Sequence, residues 1–225
     1  MPGHVPLFLS LIALLTVSSL ALTPLPPRTT WSLPKDFGGV QGERDWYYYQ
    51  VTDGRYQPLV YDSVVSPWGP RPAESWNSPG DGSRFLEISD DPAVIQTGEG
   101  ADTAIGWQAP RAGTIEITGT LAAASTSTEY SAWCGPECDD GIRFSILKNG
   151  AVIAGPVRVL HGGPEDQRHT LTATTDVAAG DWICFEQERG RWQDADAAIY
   201  DFAISYAGVP TVTSSDVRQP AVPQQ

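Results

Sequence analysis

Acidic side chains are the first candidates for chemistry in this chain. Asp90 with Asp91, Glu137 with Asp139 and Asp140, Glu186 with Glu188, and Asp194 with Asp196 all form close pairs. Two carboxylates facing across a cleft can act as acid and base in glycoside hydrolysis. None of these pairs falls in a motif that fixes both members on neighbouring strands, and the formal net charge is −13. They therefore read as solvated loop residues. Nucleophilic catalysis fares no better, because no G-x-S-x-G elbow occurs. His161-Gly162-Gly163-Pro164 has the outline of an esterase oxyanion loop, but an oxyanion donor without a nucleophile is not a catalytic site. No lyase signature is present either. No catalytic residue is expected, and the chain reads as a non-enzyme.

Carboxylates in irregular loops also suit a hard cation. Asp102, Asp139, Asp140, Asp196 and Asp201 are the candidate ligands for a structural calcium ion, which is the only cofactor to consider. Asp194-Ala195-Asp196 lacks the later Gly and Glu of an EF-hand loop. Cys134 and Cys138 flank Gly135 and Pro136, and Cys184 follows much later. In an oxidising compartment two of Cys134, Cys138 and Cys184 should be bridged, in a pairing the sequence leaves open. Zinc would need four ligands at characteristic spacing, which are not available.

The aromatic residues carry the functional expectation. Sugar rings present apolar C–H faces that stack on Trp and Tyr, so a binding site needs rigidly held, exposed aromatics. Of eight tryptophans, Trp68, Trp76, Trp133 and Trp192 fall in turn-rich stretches and form the expected ligand-facing set. The Tyr47-Tyr48-Tyr49 run must expose at least one ring, since side chains alternate across a sheet, and Tyr48 is assigned to the same set. Trp46, Trp107 and Trp182 sit within strands, and at least two of them should be core.

The elements that must hold these residues are strands. Residues 113–120 alternate, with Ile115 and Ile117 opposed to Thr114, Glu116 and Thr118. Residues 141–148 set Ile142, Phe144 and Ile146 against Arg143 and Ser145. Asn149-Gly150 then supplies the positive φ angles of a type I′ turn, so residues 151–154 should return antiparallel. Further strands are expected at 46–51, 85–88, 103–108, 169–174 and 182–186. The last, 198–206, should place Tyr200, Phe202, Ile204 and Tyr206 on one face. Residues 52–84, rich in Pro, Gly and Trp, read as a surface excursion. With no helical periodicity of useful length, the fold class is all-β, an antiparallel two-sheet β-sandwich that is jelly-roll-like.

The ends and the charge set the context. The apolar run Val5 to Ala21 closes on Ser19 and Ala21, which suit a signal peptidase, and its core carries hydroxyl residues and is short for a bilayer span of about 20 residues. Residues 1–21 are read as a signal peptide, although a leader without Lys or Arg leaves an uncleaved anchor open. Residues 22–35 read as a Pro-rich spacer, 36–206 as the sandwich domain, and 207–225 as a disordered tail. About 170 residues suffice for one domain with a sizeable core. The acidic balance argues against nucleic acid and anionic membrane surfaces. A secreted, extracellular monomer with no membrane insertion after cleavage is expected.

Three segments together resemble a carbohydrate-binding-module-like β-sandwich that recurs in secreted and cell-surface bacterial proteins. They are Asp36-Phe37 through Gln41-Gly42-Glu43-Arg44-Asp45-Trp46-Tyr47-Tyr48-Tyr49, Ala104-Ile105-Gly106-Trp107-Gln108-Ala109-Pro110-Arg111-Ala112-Gly113-Thr114 continuing into Thr118-Gly119, and Asp140-Gly141 through Lys148-Asn149-Gly150, completed by Ala179-Gly180-Asp181 and Asp201-Phe202-Ala203-Ile204. The Cys134 to Cys138 insertion departs from that pattern. The resemblance implies a non-catalytic accessory module whose partner is a glycan or another cell-surface component. The alternatives are a structural or protein-interaction domain of the envelope and, behind it, an unrecognised secreted polysaccharide hydrolase or lyase.

Overall fold

A computed structural model describes residues 27–62, 74–79, 84–88, 93–97, 100–123, 141–159, 168–190 and 197–208. Among these residues there is no α-helix, only a 3-10 turn at Glu43–Asp45, and no helix long and apolar enough to cross a membrane. The strands are β1 (Thr30–Leu33), β2 (Trp46–Thr52), β3 (Arg55–Pro58), β4 (Val60–Asp62), β5 (Glu74–Asn77), β6 (Arg84–Ile88) and β7 (Ala93–Gln96). After them come β8 (Asp102–Gln108), β9 (Gly113–Ala123), β10 (Ile142–Lys148), β11 (Ala151–Val159), β12 (His169–Val177), β13 (Trp182–Glu188) and β14 (Ala197–Tyr206).

They form an eight-stranded sheet in the order β12-β9-β14-β7-β6-β5-β4, with β1 also on β14, and a six-stranded sheet in the order β11-β10-β13-β8-β2-β3. The pairings are antiparallel. The chain is therefore the antiparallel two-sheet β-sandwich that its alternation predicts.

Period-2 patterning decides which side chains meet between the sheets. On β9, Ile115 and Ile117 are buried while Thr114, Glu116 and Thr118 are exposed. On β14, Tyr200, Phe202, Ile204 and Tyr206 all point inward. Phe202 stacks on Phe185 of the facing sheet with centroids 4.4 Å apart, and on Phe144 at 5.2 Å. Such ring pairs contribute about 0.5–1.5 kcal/mol beyond the area they bury. Asn149 and Gly150 have φ of 49° and 83°, the left-handed pair that closes the β10–β11 hairpin.

Two stretches depart from the expected organisation. Part of the segment read as a spacer is a strand: β1 pairs with β14 from Thr30↔Ser205 to Leu33↔Phe202. It does so because β7 pairs β14 only at residues 197–199, leaving the rest of that edge open. Trp31 fills the gap, edge-on to Trp107 at 5.2 Å and to Tyr206 at 5.8 Å, and its indole N–H donates to Asp45 Oδ2 at 2.9 Å. The expected excursion over 52–84 likewise contains β3, β4 and β5, with Leu59 and Trp76 in the core. An Asp53-Gly54 turn with φ of 52° and 70° joins β2 to β3, so this stretch opens as a hairpin rather than a loop.

Candidate functional site

The outer face of the six-stranded sheet gathers more aromatic surface than any other described region. On β2, Trp46 and Tyr48 enter the core, so alternation turns Tyr47, Tyr49 and Val51 outward. On β13, Ile183 and Phe185 enter the core, which turns Trp182, Cys184, Glu186 and Glu188 outward. Between these strands lies β8, whose outward positions are Asp102, Ala104, Gly106 and Gln108. Register places Tyr47 opposite Gly106 and Tyr49 opposite Ala104, and Gly106 opposite Cys184 and Ala104 opposite Glu186.

The small residues on β8 let large rings lie over the middle of the sheet. A Cβ on Gly106 would stand 3.0 Å from Trp182 Cζ3 and 3.4 Å from Tyr49 Cε2, so the ring of Trp182 rests where any larger residue would intrude. Tyr47 meets Trp182 edge-on at 4.7 Å, Trp182 meets Tyr49 at 6.3 Å, and Tyr49 meets Tyr56 of β3 at 5.9 Å and 90°. The result is a continuous strip of four half-exposed rings, Tyr47, Trp182, Tyr49 and Tyr56. Beneath it Val51, Ala104, Leu147 and Cys184 form a small apolar cluster separate from the main core.

Polar contacts hold the strip in place. The turn before β13 is tied down by Asp181, which accepts from Ala178 N at 2.9 Å and from Asn149 Nδ2 at 3.0 Å and pairs with Lys148 Nζ at 3.3 Å. Trp182 N donates to Asn149 Oδ1 at 2.8 Å. The backbone donor from Ala178, followed by Asn149, keeps the Asp181 carboxyl below its usual range. Tyr47 Oη donates to Gln108 Oε1 at 3.4 Å.

Three carboxylates border the rings. Asp102 accepts from Arg189 N at 2.8 Å and lies 3.9 Å from Arg189 Nε. Glu188 lies 3.8 Å from Arg143. Glu186 accepts from Tyr56 Oη at 2.7 Å. Burial raises the Glu186 carboxyl above the ordinary carboxylate range, against the lowering effect of the Tyr56 hydrogen bond and with further upward pushes from Asp102 and Glu188. Burial, then the charge of Glu186, pushes the Cys184 thiol up to about 12. A thiol held neutral in this way is a poor nucleophile.

The expected site residues do not coincide with this face. Trp76 and Tyr48 were expected to face a ligand, but each is at most 2% exposed. They stack on one another with centroids 4.7 Å apart inside the core, because Trp76 lies on a strand and Tyr48 shares the inward parity of Trp46. Trp68, Trp133 and Trp192 lie outside the described residues. Of the expected calcium ligands, Asp139, Asp140 and Asp196 also lie outside them. Asp102 stands on the outer face of one sheet and Asp201 on the outer face of the other, so two layers about 10 Å apart separate them and one ion cannot bind both. Among the described residues no group of three or more His, Cys, Asp or Glu is placed to hold a metal. Cys184 carries a free, buried thiol rather than a disulfide, and Cys134 and Cys138 lie outside the described residues. Two of the three strand tryptophans, Trp46 and Trp107, are core as expected. Trp182 is the third, and the inward parity of Ile183 and Phe185 turns it to the outer face of the sheet.

No protein-family model matches the chain, and no curated protein matches it. Among solved structures it is similar to a family 35 carbohydrate-binding module from Clostridium thermocellum. The identity is 13% and the TM-score 0.31, covering 72% of this chain and 98% of that one. It is similar to the C-terminal family 6 carbohydrate-binding module of LamC from Zobellia galactanivorans at 17% identity and TM-score 0.30, covering 70% and 98%. Rabbit GITRL stands at the same level, with 11% identity, TM-score 0.30, and 75% and 98% covered. Likenesses of this size carry no argument about function, which must come from the sheet face itself.

Proposed function

We propose that this chain is an exported, non-catalytic carbohydrate-binding module that takes a glycan on the outer face of its six-stranded sheet. One observation carries the reading: Tyr47, Trp182, Tyr49 and Tyr56 form an unbroken, half-exposed aromatic strip on rigid strands. Apolar sugar faces stack on such rings while hydroxyls pair with neighbouring polar groups, and Gln108 and Glu186 supply those groups here. The acids support binding rather than hydrolysis. Glu186 and Glu188 stand two residues apart on one strand and face the same way, whereas glycoside hydrolysis sets its carboxylates across a cleft. The apolar run at residues 5–21 supports the reading of an exported module.

Binding of the purified chain to an oligosaccharide panel, with calcium and with a chelator, tests the proposal. Trp182→Ala and Tyr49→Ala are each expected to weaken binding by about tenfold or more, the equivalent of about 1.4 kcal/mol. Absence of binding to every oligosaccharide under both conditions overturns it.

A further inference from the structure

Resting on that reading, we propose that the sheet face recognises amino-bearing, cationic sugar units, with Glu186 receiving the ammonium group beside Tyr56 and its neighbour Tyr49. Two of the three carboxylates on this face already have a cationic partner. Glu188 has Arg143 and Asp102 has Arg189. Glu186, at the centre of the sheet between Ala104 and Ser145, has no ion-pair partner among the described residues. It is half-buried, and its described hydrogen bond comes from a neutral hydroxyl, that of Tyr56. A partly desolvated carboxylate left without a counter-charge gains from a cation that can donate to it.

The rings select in the same direction. Aromatic faces present the negative side of their quadrupole, and Trp and Tyr attract ammonium groups within about 6 Å. Tyr49 and Tyr56 meet edge-on at 90° and Tyr49 meets Trp182 at 70°, so the rings form no single flat stack, and the strip reaches Glu186 through the Tyr56 hydroxyl.

Other charge classes fit poorly. A uronate or a sugar phosphate would bring a second negative charge up to the unmatched Glu186, and that contact is repulsive. A neutral sugar would cover Glu186 without compensating its charge. A glucosamine-type polymer meets both demands, and the −13 charge of the chain attracts a polycation from a distance.

The groups acting on Glu186 are Asp102 from β8, Glu188 and the Cys184 thiol from β13, and Tyr56 from β3; Tyr49 of β2 shares its row across Ala104, and Arg143 of β10 lies on Glu188. Burial and the two acids raise its carboxyl, so binding should fall when acid protonates it, under conditions where the sugar amine stays charged. Binding should fall again as pH rises through neutrality and the sugar amine loses its proton.

The test is calorimetry on the full chain with a β-1,4-linked glucosamine pentasaccharide and its fully N-acetylated counterpart, in mildly acidic buffer where the sugar amine is charged. The deacetylated sugar is expected to bind about tenfold or more tightly, and Glu186→Gln is expected to bring the two affinities together. Should that variant not fold, the acid limb of the wild-type profile carries the same test. Loss of the deacetylated sugar on acidification supports the assignment, and unchanged binding through the titration overturns it. Equal or tighter binding of the N-acetylated sugar overturns the inference while leaving glycan binding intact. Failure to bind these two sugars and all neutral oligosaccharides overturns both.

Discussion

Tyr56 Oη donates to Glu186 Oε2 at 2.7 Å across 130 positions of sequence. The bond draws the Tyr56 side chain from the edge strand β3 toward β13 at the centre of the sheet. It thus joins the last ring of the aromatic strip to the unpaired carboxylate, and both consequences can be measured.

Glu186 should leave a signature in stability against pH. Burial raises its native-state pKa above the unfolded value of about 4.3, so the folded chain binds more protons than the unfolded chain across that interval. Its contribution is then most favourable below the unfolded value and declines as pH rises through the native one. Glu186→Gln lacks this dependence. The melting temperature of the variant relative to wild type is therefore expected to rise from acid to neutral pH in thermal scans, and a difference that stays constant with pH would contradict the assignment.

Gly106 should be required by Trp182. The Cβ of an alanine would stand 3.0 Å and 3.1 Å from Trp182 Cζ3 and Cε3, so the ring must lift away from the sheet. Gly106→Ala is expected to cost about 1–3 kcal/mol or less, as overpacking does, yet to weaken glycan binding clearly and shift tryptophan fluorescence. Unchanged affinity would remove Trp182 from the contact surface.

Trp76 and Trp182 should respond in opposite ways. Trp76→Ala empties a core position stacked on Tyr48 and is expected to destabilise the chain by about 3–5 kcal/mol in denaturant titrations, leaving the affinity of the folded fraction near wild type. Trp182→Ala is expected to lose affinity with a much smaller change in denaturation midpoint. Reversal of the two outcomes would return Trp76 to the binding face.

Much of the fold was legible because strand alternation is local. Ile115 and Ile117 against Thr114, Glu116 and Thr118, or Tyr200 through Tyr206 on one side of β14, need no partner to be read. The Asp53-Gly54 turn was as readable as Asn149-Gly150, since both pairs occupy the left-handed region, but the Pro, Gly and Trp residues after it masked the hairpin. The outer aromatic face was harder to read. Turn-rich context suggested that Trp76 was exposed, whereas pairing of β5 with β4 and β6 carries it inside.

Sequence by itself determined that the chain is all-β, where most strands run, and that one side of each must be apolar, because a period of two is set by backbone geometry. It also determined that the Tyr47-Tyr48-Tyr49 run sends its central ring opposite to the outer two. Only the tertiary structure decided which side was the core. Tyr48 is inside because Trp46 and Trp76 pack there, and Tyr47 and Tyr49 are outside because Ala104 and Gly106, more than fifty residues away, leave room for their rings beside Trp182. Burial depends on what a distant strand brings opposite, and local pattern carries no record of that partner.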